Sequence, residues 1–374
     1  MDVQGAATAS VEGFGGTNTN SKLTKIGTGT LTINGASSYG GKATVSDGTL
    51  LATSASALAG YTAANRVSVA NGATLAVRAS DTAGVWTSTE IDSLLGATTN
   101  AFASGSKLGI DVATGNTFSY ATNIGTTQAA KGLVKSGAGT LTLSTSNTYT
   151  GATTVNGGTL NVTGSTNASS AVSVGGASAT GTPKLSGSGT INGTVTVKSA
   201  GLGVVGILDA GDAASANPAG KLTVNNNLTF ETGSIFEWDI KDGSTMTESA
   251  DDRGVQYDAV DITGGGALSV TDSVFRVVMN VGEFNTGNFW DTDRSWASSS
   301  IFNVGGSLDG FTTLEWYEGA TLKGQSSNLA GRSTDGYFSI SGTSLTWTAV
   351  PEPTSALAGL LITAGLLRRR RAVG

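Results

Sequence analysis

Apolar and polar residues alternate in short runs along this chain, and most runs open on glycine. In "GTLTL" (residues 139–143), Leu141 and Leu143 fall on one side while Thr140 and Thr142 fall on the other. That period of two predicts a half-buried strand with its leucines inward. β-Branched Thr and Val reinforce the extended backbone through their restricted χ1. The signature returns at "GATLAV" (from Gly72), "GTINGTVTV" (Gly189), "GKLTV" (Gly220) and "GTSLTW" (Gly342). Asp47-Gly48 and Gly157-Gly158 supply corners, where a positive φ is cheap for glycine. One run has a different period. In "TSTEIDSLLG", Thr87 and Glu90 make a capping box, Ile91, Leu94 and Leu95 share a face, and Gly96 is a stop. A short helix is therefore predicted over 87–96. Docking on its own core is the plain reading of that face, and binding a partner the sharper one.

The strand pattern is itself repeated. At a constant offset of 110 residues, Lys25 matches Lys135, Gly29-Thr30-Leu31-Thr32 matches Gly139-Thr140-Leu141-Thr142, Tyr39 matches Tyr149, and Gly48-Thr49-Leu50 matches Gly158-Thr159-Leu160. Within each copy, Gly-Thr-Leu recurs after 19 residues. A unit of that size buries nothing alone, but stacked units do. Strands lying on one another at about 4.8 Å would form inward ladders of Leu, Val and Ile and outward ladders of Thr, Ser and Asn. The expected fold is all-β: a parallel β-solenoid, taken as a right-handed β-helix. An antiparallel sandwich also suits short, regularly spaced strands, but does not explain one corner recurring at matched intervals. Leu31, Leu50, Leu141, Val155 and Leu160 are expected to be buried, with Thr140 and Thr142 exposed.

Both copies, at residues 25–50 and 135–160, resemble the autotransporter-associated β-strand repeat, whose pattern reads K-x-G-x-G-T-L-T-L, N-x-Y-x-G-x-T-T-V and N-x-G-T-L. The resemblance implies a surface-displayed β-helix. The chain lacks the C-terminal series of long amphipathic strands that would build a membrane barrel, so self-transport is not expected. The expected organisation is a leader or truncated rung at 1–22, solenoid repeats at 23–229, an aromatic and acidic β region or cap at 230–347, and a tail at 348–374.

Composition narrows the chemistry. The 374 residues include 55 Gly, no Cys and no His, with a formal net charge of −6. Disulfides, thiolate chemistry and imidazole bases are thereby excluded, and the acidity argues against nucleic acid. No cofactor is expected. Of 24 aromatic residues, 16 lie between Phe230 and Trp347, where the core should broaden and close the stack. Trp290, Trp296 and Trp316 could alternatively form a carbohydrate-binding platform, although large aromatics are mostly core. Weak calcium candidates are Asp251 and Asp252 (with Glu248) and Asp291 and Asp293; solvated loop charge is the plainer reading. "GLGVVG" (201–206) satisfies G-x-G-x-x-G, but no amphipathic helix follows and Asp209 comes too soon to reach a ribose, so a turn is expected. No spacing selects a catalytic carboxylate pair, and no enzyme activity is expected. The alternative is a carbohydrate-active or carbohydrate-binding β-helix acting on matrix polysaccharide, which converging acids in a cleft would favour.

The tail reads "AVPEPTSALAGLLITAGLLRRRRAVG". Residues 354–367 are uncharged and would span roughly 21 Å as a helix, against a hydrocarbon core of about 30 Å. The abrupt basic stop favours membrane insertion with the arginines inside. The tail resembles the PEP-CTERM sorting signal in three parts: Val350-Pro351-Glu352-Pro353, the apolar transmembrane helix 354–367, and Arg368, Arg369, Arg370 and Arg371. That resemblance implies processing by an exosortase, a membrane protease, and release to the cell surface or extracellular polysaccharide matrix. "MDVQGAATAS" at the amino end has no basic start and no apolar stretch, so the chain is expected to begin inside a longer product or at a misassigned start. The resulting expectation is a non-enzymatic, secreted or cell-surface β-solenoid, transiently membrane-anchored, with an adhesive or structural role.

Overall fold

A computed structural model describes residues 1–349 apart from 6, 17, 19, 83, 97–100, 126–130, 202, 212–218, 242–251, 280–291, 305 and 326–335. Its strands follow the period-two pattern. In Thr140–Leu143, Leu141 and Leu143 are fully buried while Thr140 and Thr142 are half-buried. This strand stacks in parallel on Thr159–Val162, Leu141 over Leu160 and Thr142 beside Asn161. The side chains expected inward, Leu31, Leu50, Leu141, Val155 and Leu160, are all fully buried. The threonines are less open than expected, because the rungs above and below cover their flanks.

Stacking also explains the glycine of the repeated corner. Gly158 has φ +57°, and a Cβ there would stand 2.3 Å from the Gly139 carbonyl oxygen. Gly48 has φ +62°, and its Cβ would stand 2.4 Å from the Gly29 carbonyl oxygen. Each corner thus needs glycine twice over, for its own backbone and for the rung beneath.

The main sheet holds eleven parallel strands from Thr8–Val11 to Leu228–Phe230 and Leu268–Val270. A second sheet runs in parallel from Thr117–Tyr120 through Thr140–Leu143, Lys184–Ser186, Ile207–Asp209, Ile235–Ile240 and Ser273–Met279 to Phe311–Glu318. Shorter sheets supply further sides: Leu23–Lys25 to Ala101–Phe102 early in the chain, and Thr190–Ile191, Lys221–Val224 and Ala259–Ile262 later. Long parallel stacks of this kind are the architecture of a β-solenoid, not of a sandwich.

The two motif copies do not sit on the same sides. The main sheet carries the second strand of copy one, Thr30–Ile33, and continues through Lys107–Asp111 to the first strand of copy two, Gly132–Ser136. Copy two is therefore advanced by one face. The intervening segment holds the helix Ser88–Gly96, whose capping box is reciprocal: Thr87 N donates to Glu90 Oε2 at 2.8 Å and Glu90 N to Thr87 Oγ1 at 3.4 Å. Ile91, Leu94 and Leu95 are buried, and Asp92 accepts hydrogen bonds from Tyr120 and Thr122. The apolar face packs on its own core and offers nothing to a partner.

Inside, an aliphatic ladder gives way to aromatics. Leu31, Leu50, Leu75, Leu108 and Leu133 stack in successive rungs, each fully buried. Further along, Phe236 packs against Phe275, Phe302 and Phe311, with ring centroids 4.7–6.3 Å apart. Strands lengthen to seven and eight residues in Ser273–Met279 and Phe311–Glu318, which widens the core. Pairing turns antiparallel at Thr321–Gln325 and in the sheet of Arg294–Ala297, Ser344–Ala349 and Gly336–Ser341.

Candidate functional site

On the second sheet the sequence alternates as before, but with charge outside. In Ile235–Ile240, Phe236 and Trp238 are fully buried in the core, which puts Glu237 and Asp239 on the outer side. Parallel register then sets Asp209 beside Glu237, Glu237 beside Arg276, and Arg276 beside Glu315. Lys184 Nζ lies 2.8 Å from Asp209 Oδ2 and 2.6 Å from Glu237 Oε1. Arg276 reaches Glu237 at 3.3 Å and Glu315 at 3.1 Å. Burial works against the Lys184 charge, but the two carboxylates outweigh it and hold its pKa above the ordinary lysine value.

A fifth acid joins this row from another element. Asp258, just before Ala259–Ile262, is fully buried, and its carboxylate accepts from Gly220 N at 2.9 Å and Asp239 N at 3.0 Å. Trp238 Nε1 donates to its carbonyl at 2.8 Å. Oxygens of Asp209, Asp239 and Asp258 all lie within 4.8 Å of one another, with the three residues 9%, 7% and 0% exposed. Among the described residues no donor is bonded to the Asp239 carboxylate. Burial pushes Asp209 up to about 6, with Lys184 opposing and Glu237 adding to the rise. Burial, then the neighbouring acids, push Asp239 and Asp258 well above the usual carboxylate range.

The motif lysines form a second unexpected set. Lys25 and Lys135 are 0% exposed and point inward. Lys135 sits in a ladder between Ile110 and Val155, and its ammonium donates to the carbonyls of Ser136, Gly137 and Gly157 at 2.7–2.9 Å. Lys25 repeats the cage with Ile26, Gly27 and Asp47. Period two held the signal: in Leu-Thr-Lys, an inward Leu23 implies an inward Lys25. The acidic trio carried no such signal, because its members come from different elements.

Outside, a groove of about 810 Å³ runs over the main sheet, lined among others by Thr30, Thr49, Thr74, Lys107, Asp111 and Asn156. Its walls mix stacked polar side chains and glycine with the apolar Ala7, Leu51, Ala76 and Val134. None of the three clustered aspartates lines it.

Other sequence candidates fall elsewhere. Asp252 is buried and its carbonyl closes a turn with Gln256 N at 2.8 Å, while Asp293 Oδ1 accepts from Ala349 N at 3.0 Å. Neither belongs to the group of converging carboxylates. Glu248, Asp251, Asp291 and Trp290 lie outside the described residues, as do Val350, Pro351, Glu352, Pro353, the helix 354–367 and Arg368, Arg369, Arg370 and Arg371. Among the described residues no helix is long and apolar enough to cross a membrane. Trp296 and Trp316 are 1% exposed, so they fill core and do not make a binding platform. The glycine fingerprint is a hairpin, Ser199–Gly201 against Val204–Val205, running into the strand Ile207–Asp209.

Comparison with known proteins agrees with the repeat. A family model, the passenger-associated-transport-repeat, matches residues 23–52 and 133–162, well under half of the chain. No curated protein matches it. The chain thus carries two copies of a repeat associated with autotransporter passengers, within an all-β stack of long parallel sheets. Such repeats suggest a secreted or cell-surface protein.

Proposed function

We propose that this chain is a non-enzymatic surface or secreted β-solenoid, an adhesive or structural component of an extracellular matrix. The observation that carries this reading is the eleven-stranded parallel sheet, with a groove along its outer side where Thr, Ser, Asn and Gly recur from rung to rung among smaller apolar and charged contributions. Stacked hydroxyls and amides suit an extended polar polymer, because donors and acceptors repeat at every rung. Polysaccharide is the favoured partner. The carbohydrate-cleaving alternative asks for acids converging in a cleft; the acids that do converge are less than one-tenth exposed and lie away from the groove.

The tail is proposed as a PEP-CTERM sorting signal, on its order of Val350–Pro353, apolar segment and four arginines. An exosortase-type membrane protease would process it after transient anchoring through 354–367.

Two experiments test these readings. Incubation of the purified body with a polysaccharide panel should give binding without new chain ends; release of oligosaccharides would overturn the non-enzymatic reading. In a host containing the sorting protease, intact mass spectrometry of the secreted form should show loss of the peptide beyond Pro353. A secreted species still ending in "RRRRAVG" would end the sorting proposal. Deleting everything after Val350 should release the protein from membranes with its melting temperature unchanged.

A further inference from the structure

The charged row on the second sheet does not balance. Among the described residues Lys184 and Arg276 face five carboxylates: Asp209, Glu237, Asp239, Asp258 and Glu315. The two cations are already committed, Lys184 to Asp209 and Glu237, Arg276 to Glu237 and Glu315. Asp258 is held by neutral backbone amides and by the Asp209 carboxyl, with no cation bonded to it, and Asp239, 7% exposed, faces the cluster without a hydrogen-bond donor among the described residues. Buried carboxylates without a counter-charge are strongly unfavourable, so the cluster calls for a cation or for protons.

We propose that Asp209, Asp239 and Asp258 form a binding site for a hard divalent cation of the calcium class. The geometry fits. With metal–oxygen bonds of about 2.4 Å, two ligands of one ion stand no more than about 4.8 Å apart. The three carboxylates present oxygens within 4.8 Å of one another. Each comes from a different part of the chain: the strands Ile207–Asp209 and Ile235–Ile240, and the turn before Ala259–Ile262. An ion there would tie neighbouring rungs to the adjoining side. Calcium is preferred to magnesium because magnesium dehydrates reluctantly, and this site is less than one-tenth exposed. Asp252 and Asp293 are not among the converging carboxylates.

The test uses the whole chain, stripped with EDTA and titrated with Ca²⁺ at neutral pH. Calorimetry should show one saturable site. At a free concentration near a hundred times Kd, the melting temperature should rise by roughly 3–5 °C. Tb³⁺ should bind in the same place, and its luminescence, sensitised by the adjacent Trp238, should be displaced by Ca²⁺. Asp239→Asn should fold, since no hydrogen bond to its carboxylate is lost, yet bind Ca²⁺ at least tenfold more weakly. The double variant Asp252→Asn/Asp293→Asn should bind as the parent does. Absence of Ca²⁺ heat and of a thermal shift in the parent would overturn the proposal, as would undiminished affinity in Asp239→Asn or lost affinity in the double variant. A parent indifferent to Ca²⁺ and an Asp239→Asn variant that melts higher at neutral pH would mean that protons neutralise the cluster, which also overturns it.

Discussion

Tyr39 and Tyr149 hold equivalent places in the two motif copies, but their hydroxyls fare differently. Tyr149 Oη is hydrogen bonded to Thr153 Oγ1 at 2.6 Å, and Thr153 continues to Ser170 at 2.9 Å. In copy one, Ala43 stands where Thr153 does, and the buried Tyr39 hydroxyl lies near the Ala59 backbone without a hydrogen bond of normal geometry. Tyr149→Phe should therefore cost about 1 kcal/mol in chemical denaturation, while Tyr39→Phe should cost nothing measurable. Equal losses would refute the distinction. Two buried lysines, Lys135 of the second motif copy and Lys131 just before it, give a pH prediction. Burial pushes Lys131 and Lys135 down to about 8 from an ordinary 10.5. Between those values the unfolded chain holds the proton that the folded chain has released, so removing protons favours the fold. These two lysines should add stability as pH rises from 8 to 10.5. In Lys131→Met/Lys135→Met that increment should vanish, as melting curves across the interval would show.

At the scale of the element, the corner glycine sets how closely rungs approach. Gly158 and Gly115 both have positive φ, but a Cβ at Gly115 meets nothing within 4 Å, whereas one at Gly158 meets backbone at 2.3 Å. Gly115→Ala should cost about 1 kcal/mol from conformation alone. Gly158→Ala should cost at least twice that, because the rung beneath must move as well. Similar losses for the two would mean that stacking does not fix this residue. These elements were legible from the chain because alternation and a 19-residue spacing express a local rule that each rung repeats. The helix was legible for the same reason, its capping box and apolar face lying within ten residues. The advance of copy two by one face was not, since it depends on how the segment between the copies is laid down, and periodicity within a copy is blind to that. The acidic trio was hidden likewise: Asp209 and Asp239 come together on paired strands of the second sheet, and Asp258 reaches them from the segment before Ala259–Ile262 in another sheet. Lys25 and Lys135 were readable in principle, but charge obscured the inward position that alternation implied.

Across the whole molecule, interior packing is uneven. The repeat rungs bury mainly aliphatic side chains with one Tyr in each copy, whereas the later rungs bury clustered Phe and Trp between longer strands. In a stack where each rung rests mainly on its neighbours, opening begins where least is buried. Amide hydrogen exchange should be slowest in Ile235–Ile240 and Ser273–Met279 and fastest in Thr8–Val11, whose residues are exposed or only half-buried. Phe236→Ala should cost about 3–5 kcal/mol. Equal protection along the stack would contradict this gradient.

The one-face advance has a consequence for valence. Had the two copies lain in phase, their threonine rows would form one longer track along a single side. Instead Thr30 and Thr32 belong to one sheet and Thr140 and Thr142 to the next. A straight polymer recognising that row could not lie along both copies at once without turning a corner. Two separate polymers could each occupy one. Were a polymer to bind the threonine rows, the same motif, duplicated and turned, would favour holding two strands over clamping one more tightly.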